Sequence, residues 1–222
     1  FTNVNWEIIN TQESDQDPKI MLMYYPNVIE SVGYIQPKVQ IEIGCRSLRE
    51  PLKIAEFNTL VDEYYPNASF TMPVIKVPTV VPERTFLEKI FLLHEEFSKP
   101  TQAIRVERLS RHLYDVYQLS KTEIKQNALN DTELYETIVK HRYNFTRISK
   151  VDYNLHQPQT INPIPPSEVI KAWETDYNTM LSEMIYGDAP TFEELIKELT
   201  QIKSEINKLV WKMKTEFPLP KS

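Results

Sequence analysis

Lys89 is the residue whose position in the hydrophobic pattern most clearly asks for an anion. It stands in Pro82-Glu83-Arg84-Thr85-Phe86-Leu87-Glu88-Lys89-Ile90-Phe91-Leu92-Leu93-His94-Glu95-Glu96. At about 100° per residue, Phe86, Ile90, Leu93 and Phe97 form one apolar stripe, which Leu87 and Phe91 widen. Lys89 lies about 40° from Leu93 and about 60° from Leu92, so its stem crosses apolar surface before the ammonium meets water or a counter-charge. A phosphate would satisfy it. So would a carboxylate such as Glu88 or Glu96, and the residue is then an ordinary snorkelling lysine.

Three other groups could share such chemistry. On a helix expected from Arg105 to Leu119, Val106, Leu109, Leu113 and Val116 form the core stripe, and Arg108, Arg111, His112 and Asp115 share the other side. Arg111 and Asp115 are four apart. They make either an intrahelical ion pair worth about 0.3 kcal/mol or a site wall that carries a phosphate-binding cation and an acid or base. Glu42, in Gln40-Ile41-Glu42-Ile43-Gly44, is a carboxylate on the polar side of a strand, with Arg46, Arg49 and Glu50 just beyond. It is either solvated or held at a sheet edge beside cations. Lys140, His141, Arg142, Arg147 and Lys150, interleaved with Tyr143, Phe145 and Tyr153, could hold a nucleic-acid backbone and stack on a base, or simply form a solvated helix end.

The elements that must position these residues change period near Pro82. Before it, Val4 to Ile9 and Lys19 to Tyr25 read as a hairpin around the polar turn Thr11 to Pro18. Lys38 to Gly44 alternates, with Val39, Ile41 and Ile43 expected to face the core. Phe70 to Val77 is a fourth strand candidate, with a short helix expected within Lys53 to Tyr64. After Pro82, helices are expected at 83–97, 104–120, 131–142, 167–186 and 191–215. Thr191 and Glu194 have capping-box spacing at the start of the last, and Gly187 to Pro190 makes a reversal between the final two. Asn154 to Pro166 reads as an extended connector. The expectation is an α+β chain with a β-rich part at 1–80 and a helical part at 81–222.

Composition removes several classes of function. Gly33, Gly44 and Gly187 are the only glycines and stand far apart, so neither a Walker loop nor a dinucleotide fingerprint is present. Cys45 is the only cysteine, which points to a reducing cytoplasm rather than a disulfide scaffold. His94, His112, His141 and His156 have no zinc-site spacing, and no serine-hydrolase elbow occurs. No apolar run approaches the roughly 20 residues of a membrane span. The net charge of −6 argues against a surface coated by nucleic acid. Asp15 and Asp17 form an acid-x-acid pair, but their polar neighbours and Pro18 suit a turn better than a rigid metal site.

At these residues the sequence resembles the AbiEii-type nucleotidyltransferase toxins of abortive-infection and type IV toxin–antitoxin systems, a branch of the nucleotidyltransferase fold. The likeness rests on ordered blocks: Lys38 to Pro51 (KVQIEIGCRSLREP), Val77 to Glu96 (VPTVVPERTFLEKIFLLHEE), Arg108 to Leu119 (RLSRHLYDVYQL), then Thr175-Asp176-Tyr177 with Met180 and Met184. It implies a partial nucleotidyltransferase-fold sheet followed by helices. It also implies transfer of a nucleoside monophosphate from an NTP to an acceptor, tRNA in some members, in a bacterial cytoplasm, with Mg²⁺ held by strand carboxylates. By position, Glu42 looks like a metal-binding strand carboxylate, Lys89 like the triphosphate-binding lysine and Asp115 like the helix aspartate near the site. Arg84 and Arg111 would be supporting cations, and a cognate antitoxin is the implied protein partner.

The family's glycine-serine turn, followed by an acid-x-acid pair between apolar flanks, should precede these blocks and has no counterpart. No Gly-Ser or Gly-Gly dipeptide occurs. The sequence begins at Phe1, so the expectation is a longer parent with its metal-binding acids upstream, or a shortened homologue that has lost catalysis. In either case, the chain by itself is not expected to turn over. An enzyme requires Glu42, Lys89 and Asp115 to converge on one cleft. A non-catalytic module that binds an antitoxin would leave them apart, and a nucleic-acid module would use the Lys140 to Tyr153 cluster instead.

Overall fold

Alternating sequence near the start of the chain pairs with itself. A computed structural model describes residues 5–9, 19–27, 30, 36–44 and 51–220. The expected turn with Asp15 and Asp17, together with Cys45, Arg46, Arg49 and Glu50, lies outside the described residues. Strands β1 (Asn5–Ile9), β2 (Lys19–Tyr24) and β3 (Lys38–Ile43) form an antiparallel sheet in that order. The register sets Trp6 opposite Met23 and Met23 opposite Val39, with Ile8, Met21 and Ile41 in the next row. One face therefore carries these apolar residues. The other carries Glu7, Ile20, Leu22, Tyr24, Lys38, Gln40 and Glu42.

The expected orientation of that sheet is reversed. Val39, Ile41 and Ile43 are exposed, whereas Leu22, on the Glu42 face, is 4% exposed. Alternation fixes which side chains share a face, but which face meets the rest of the molecule is a tertiary matter. A separate antiparallel ribbon pairs β4 (Leu52–Phe57) with β5 (Ile75–Val80). Helix α1 (Leu60–Tyr64) lies between them, opened by a capping box of Thr59 and Asp62. The first part of the expected 53–64 helix is thus strand, and the expected strand at 70–77 is displaced toward Val80. Pro78 sits opposite Ile54, where a two-stranded ribbon tolerates a residue without a donor.

The helices are α2 (Pro82–Phe97), α3 (Arg111–Ser120), α4 (Ile124–Asn130), α5 (Thr132–Phe145), α6 (Ile170–Met184) and α7 (Phe192–Asn207). Helix α2 is the central one. Phe86, Leu87, Ile90, Phe91 and Leu93 are fully buried, and α3, α4 and α5 pack around it. Leu113, Val116, Tyr135, Ile138, Trp173, Tyr177, Leu195, Leu199, Ile202 and Ile206 complete the core. Its start agrees with the rule that proline opens a helix, since Pro82 occupies the first turn. The architecture is α+β, with two small antiparallel sheets and a helical body.

Two segments depart from periodicity for identifiable reasons. Helix α7 ends at Asn207, not near 215, because Asn207 Nδ2 donates to the carbonyls of Pro158 (2.7 Å) and Ile161 (3.1 Å). The chain beyond it runs as a strap whose backbone is bonded by side chains: Met213 N–H donates to Gln157 Oε1 (2.7 Å), and Gln159 Nε2 donates to the carbonyls of Leu209 and Trp211. The 154–166 connector is likewise core material. It folds into 3-10 turns at Tyr153–His156 and Pro158–Thr160 and buries Tyr153, His156 and Ile161.

Candidate functional site

Lys89 leaves the core stripe of α2 and finds its anion on α3. Its Nζ lies 2.6 Å from Asp115 Oδ2 and 3.3 Å from His112 Nδ1. His112 and Asp115 are three residues apart, hence on one side of α3 and both turned to the lysine. Burial, then the neighbouring Lys89 and Arg111 cations, push the His112 imidazole down to about 4. It is therefore neutral at pH 7, and its Nδ1 lone pair can accept from the ammonium.

Because Asp115 is taken by Lys89, the intrahelical pair with Arg111 does not form. No carboxylate of a described residue lies within ion-pair distance of Arg111. Arg111 instead lines a cleft of about 540 Å³ where the sheet meets the helical body. Lys38, Gln40 and Glu42 of β3 form one wall, Glu107, Arg108 and Arg111 the other, and Met184 of α6 also lines it. Gln40 Nε2 donates to Glu42 Oε1 across the strand face. Glu42 and Arg111 thus share one cleft. Lys89 and Asp115 do not line it, but Asp115 is one helical turn from Arg111 on α3. Arg84 is elsewhere: it is 3% exposed and bonds Glu88 Oε1 at 3.0 Å along α2.

The expected start of the second helix at 104 is replaced by a loop held by two carboxylates. Buried Glu96 accepts from Arg105 N–H (2.7 Å), Arg105 Nη2 (2.8 Å) and Lys99 Nζ (2.7 Å). Asp176 of α6 accepts from Arg108 N–H (2.8 Å), Ser110 N–H (3.1 Å) and Ser110 Oγ (2.5 Å). Neither Glu107 nor Asp176 falls into a local pattern with the other candidates, so spacing does not mark them as site residues.

The family model for the nucleotidyl transferase AbiEii toxin of type IV toxin–antitoxin systems matches residues 5–198 of the 222. The chain belongs to the AbiEii family. The match runs from β1 into α7 and takes in Glu42, Arg84, Lys89, Arg111 and Asp115. No curated protein and no solved structure matches the chain. Family membership makes this an AbiEii-type nucleotidyl transferase toxin chain, and among the described residues no helix is long and apolar enough to cross a membrane.

Mg²⁺ takes oxygen ligands in near-octahedral geometry, commonly one or two carboxylates plus substrate phosphates. In this AbiEii chain Glu42 and Glu107 line the cleft, but one Glu42 oxygen is engaged by Gln40. Among the described residues no three metal-ligating side chains gather. Among the described residues the cleft thus offers two carboxylates, one of them already hydrogen-bonded, beside the cations Lys38, Arg108 and Arg111.

Of the basic cluster at 140–150, Arg142 is spent inside the fold. Arg142 Nε and Nη2 donate to Glu95, which is fully buried and also meets His156 Nε2 at 3.2 Å. Burial by itself would raise the Glu95 carboxyl, but the bonds from Arg142 and His156 hold it down to about 2. Lys140 lies 3.6 Å from Glu136, and Arg147 stacks over the Tyr143 ring. Arg142 is thereby withdrawn from any nucleic-acid backbone, whereas Lys140, Arg147 and Lys150 remain exposed.

Proposed function

We propose that the cleft between β3 and α3 binds the triphosphate of an NTP, whose nucleoside monophosphate passes to an acceptor hydroxyl, with tRNA as the acceptor class. The observation that carries this reading is the partner exchange around Asp115. Lys89 occupies the carboxylate that Arg111 would otherwise take, and Arg111 is left facing the cleft it shares with Glu42. Arg111 and Arg108 supply charge-assisted hydrogen bonds to phosphate oxygens. In this reading Lys89, which pairs with Asp115 outside the cleft lining, leaves it for the triphosphate when nucleotide binds, and Asp115 Oδ2 then accepts the acceptor's proton. The acceptor oxygen bonds to the α-phosphorus, the bond to the β-phosphate oxygen breaks, and pyrophosphate leaves.

The test is to incubate the complete gene product with Mg²⁺ and each labelled NTP, against tRNA and against cellular protein, comparing wild type with Lys89→Ala. Labelling of an acceptor by wild type and its loss in the variant is expected. Equal labelling by both would remove Lys89 from the mechanism, and absence of label on every acceptor would overturn the reading. A second reading, an antitoxin-binding module, is favoured by the uncovered sheet face, where Trp6, Ile8, Val39, Ile41 and Ile43 are all exposed.

A further inference from the structure

Arg108 holds a backbone conformation that does not suit it. Its φ is +59°, in the left-handed region where a side chain with a Cβ is strained and glycine or asparagine is usual. A residue kept there against its preference needs something outside its own loop to hold it. That holder is Asp176, two turns from the end of α6 and 68 positions along the chain, whose Oδ1 accepts from the Arg108 N–H at 2.8 Å. Its other oxygen accepts from both the N–H and the hydroxyl of fully buried Ser110.

Ser110 is the residue before α3, in the N-cap position, yet its side chain does not cap its own helix. The hydroxyl is turned away to Asp176. A carboxylate borrowed from α6 therefore sits at the positive end of α3 and fixes where that helix begins. The residues so fixed are those of the cleft. Glu107, Arg108 and Leu109 lie in the held loop, Arg111 is the first residue of α3, and Met184 at the end of α6 lines the same cleft. Asp176 is not among the cleft's lining residues.

We propose that Asp176 is a positioning residue of the nucleotide cleft: through the Arg108 and Ser110 backbones it aims Arg108 and Arg111 at the phosphates. The inference rests on the reading of that cleft as the nucleotide site. It explains why an arginine, rather than a glycine, occupies a left-handed position, since the strain is retained for the sake of the guanidinium. It also gives the Thr175-Asp176-Tyr177 block two separable duties. Tyr177 packs in the core and donates its hydroxyl to the Pro190 carbonyl at 2.6 Å, and Asp176 faces the cleft loop.

The experiment uses the full chain with Mg²⁺ and inorganic tripolyphosphate as probe, so that no choice of base is needed. Calorimetric affinities are measured for wild type, Asp176→Ala, Asp176→Asn and Arg111→Ala at a temperature where thermal melts show each is folded. Amide hydrogen exchange is followed at residues 107–111. Asp176→Ala is expected to bind about tenfold more weakly or worse, with faster exchange at Arg108 and Ser110. Asp176→Asn, which keeps an acceptor for the Arg108 N–H, should fall between it and wild type. Wild-type-like affinity in Asp176→Ala, while Arg111→Ala is impaired, overturns the positioning role and spares the cleft. Unchanged exchange at Arg108 and Ser110 overturns it too. If wild type fails to bind the probe, or binds it as well without Arg111, the cleft reading falls and this inference with it.

Discussion

Asp115 has two claimants, and which one wins decides the charge of the cleft. Lys89 reaches it from α2 at 2.6 Å, although Arg111, one turn back, is the partner that spacing favours. Lys89→Met should therefore let Arg111 fold back onto Asp115 and leave the cleft, weakening nucleotide binding by about two- to fivefold. Adding Asp115→Asn should recover part of the loss; equal affinities of the single and double variants in the same titration would exclude the exchange. The pair is part-exposed, so either change should lower stability by only about 0.5 kcal/mol. The lysine's need for an anion was legible in the apolar stripe. Its partner was not, because the meeting of α2 with α3 is set by packing across a loop. His94 gives a second test. Its Nδ1 accepts from the Asn162 N–H at 3.1 Å, and burial, then the nearby His156, push the imidazole down to about 3. Below an unfolded value of about 6.5 the unfolded chain takes up a proton that the fold refuses, so stability falls with pH from there toward 3, by about 1.4 kcal/mol per unit once below 6.5. Melting temperature should drop between pH 6.5 and 5. His94→Asn, whose Oδ1 can keep the Asn162 bond, should remove about half of the total slope in that window, because His112, pushed down to about 4, contributes a similar share. Glu95 acts in a different window, since a carboxyl held at about 2 loses its contribution only below its ordinary value near 4.5. An undiminished slope in His94→Asn would show that the acid sensitivity lies elsewhere.

At the scale of elements, segments with a strong local signal were readable and those ended by distant side chains were not. Helix α2 follows its stripe from Pro82 to Phe97, and α7 begins at the Thr191 and Glu194 capping box. The apolar spacing of Leu209 and Met213 continues the stripe of α7, and Met213 is indeed buried at 6%, but the backbone there is not helical. The helix loses to the amides of Gln157 and Gln159, which lie some fifty residues earlier and take over the bonds that another turn would have made. Helix α3 shows the same effect at its start, where Glu96 and Asp176 bind the backbone of a loop that periodicity assigns to helix. Helix α4 has only seven residues and buries Ala128 and Leu129, too short a segment for a stripe to declare itself. If the glutamine bonds hold the strap, Gln157→Ala should cost about 1–2 kcal/mol and raise amide exchange from 209 to 217, leaving α7 itself protected. Exchange that rises equally through Phe192–Asn207 would mean the strap and the helix open as one unit.

For the molecule as a whole, the distribution of buried apolar surface is lopsided. Every member of the core cluster lies between Phe86 and Phe217, and Leu22 is the one described apolar residue before Pro82 that is buried. The sheets instead expose Trp6, Ile8, Ile43, Ile54 and Phe57. A sheet with one anchoring leucine gains little from burial, whereas the helical body buries more than twenty side chains around α2. This could not be read from composition, because the same residues would serve equally well facing inward; only the placement of the Glu42 face toward α3 and α6 turns the apolar face outward. The consequence is that stability should reside almost entirely after Pro82. A fragment starting at Pro82 should be soluble, give the helical circular dichroism of the body and unfold cooperatively within about 5 °C of the full chain. Residues 1–80 alone should show no cooperative transition, and limited proteolysis of the full chain should cut there first. Tripolyphosphate binding should be weaker in the fragment even though it folds, because Lys38, Gln40 and Glu42 are one wall of the cleft. A fragment that aggregates or melts more than about 15 °C lower would show that the sheet contributes a part of the core that its single anchored leucine does not reveal.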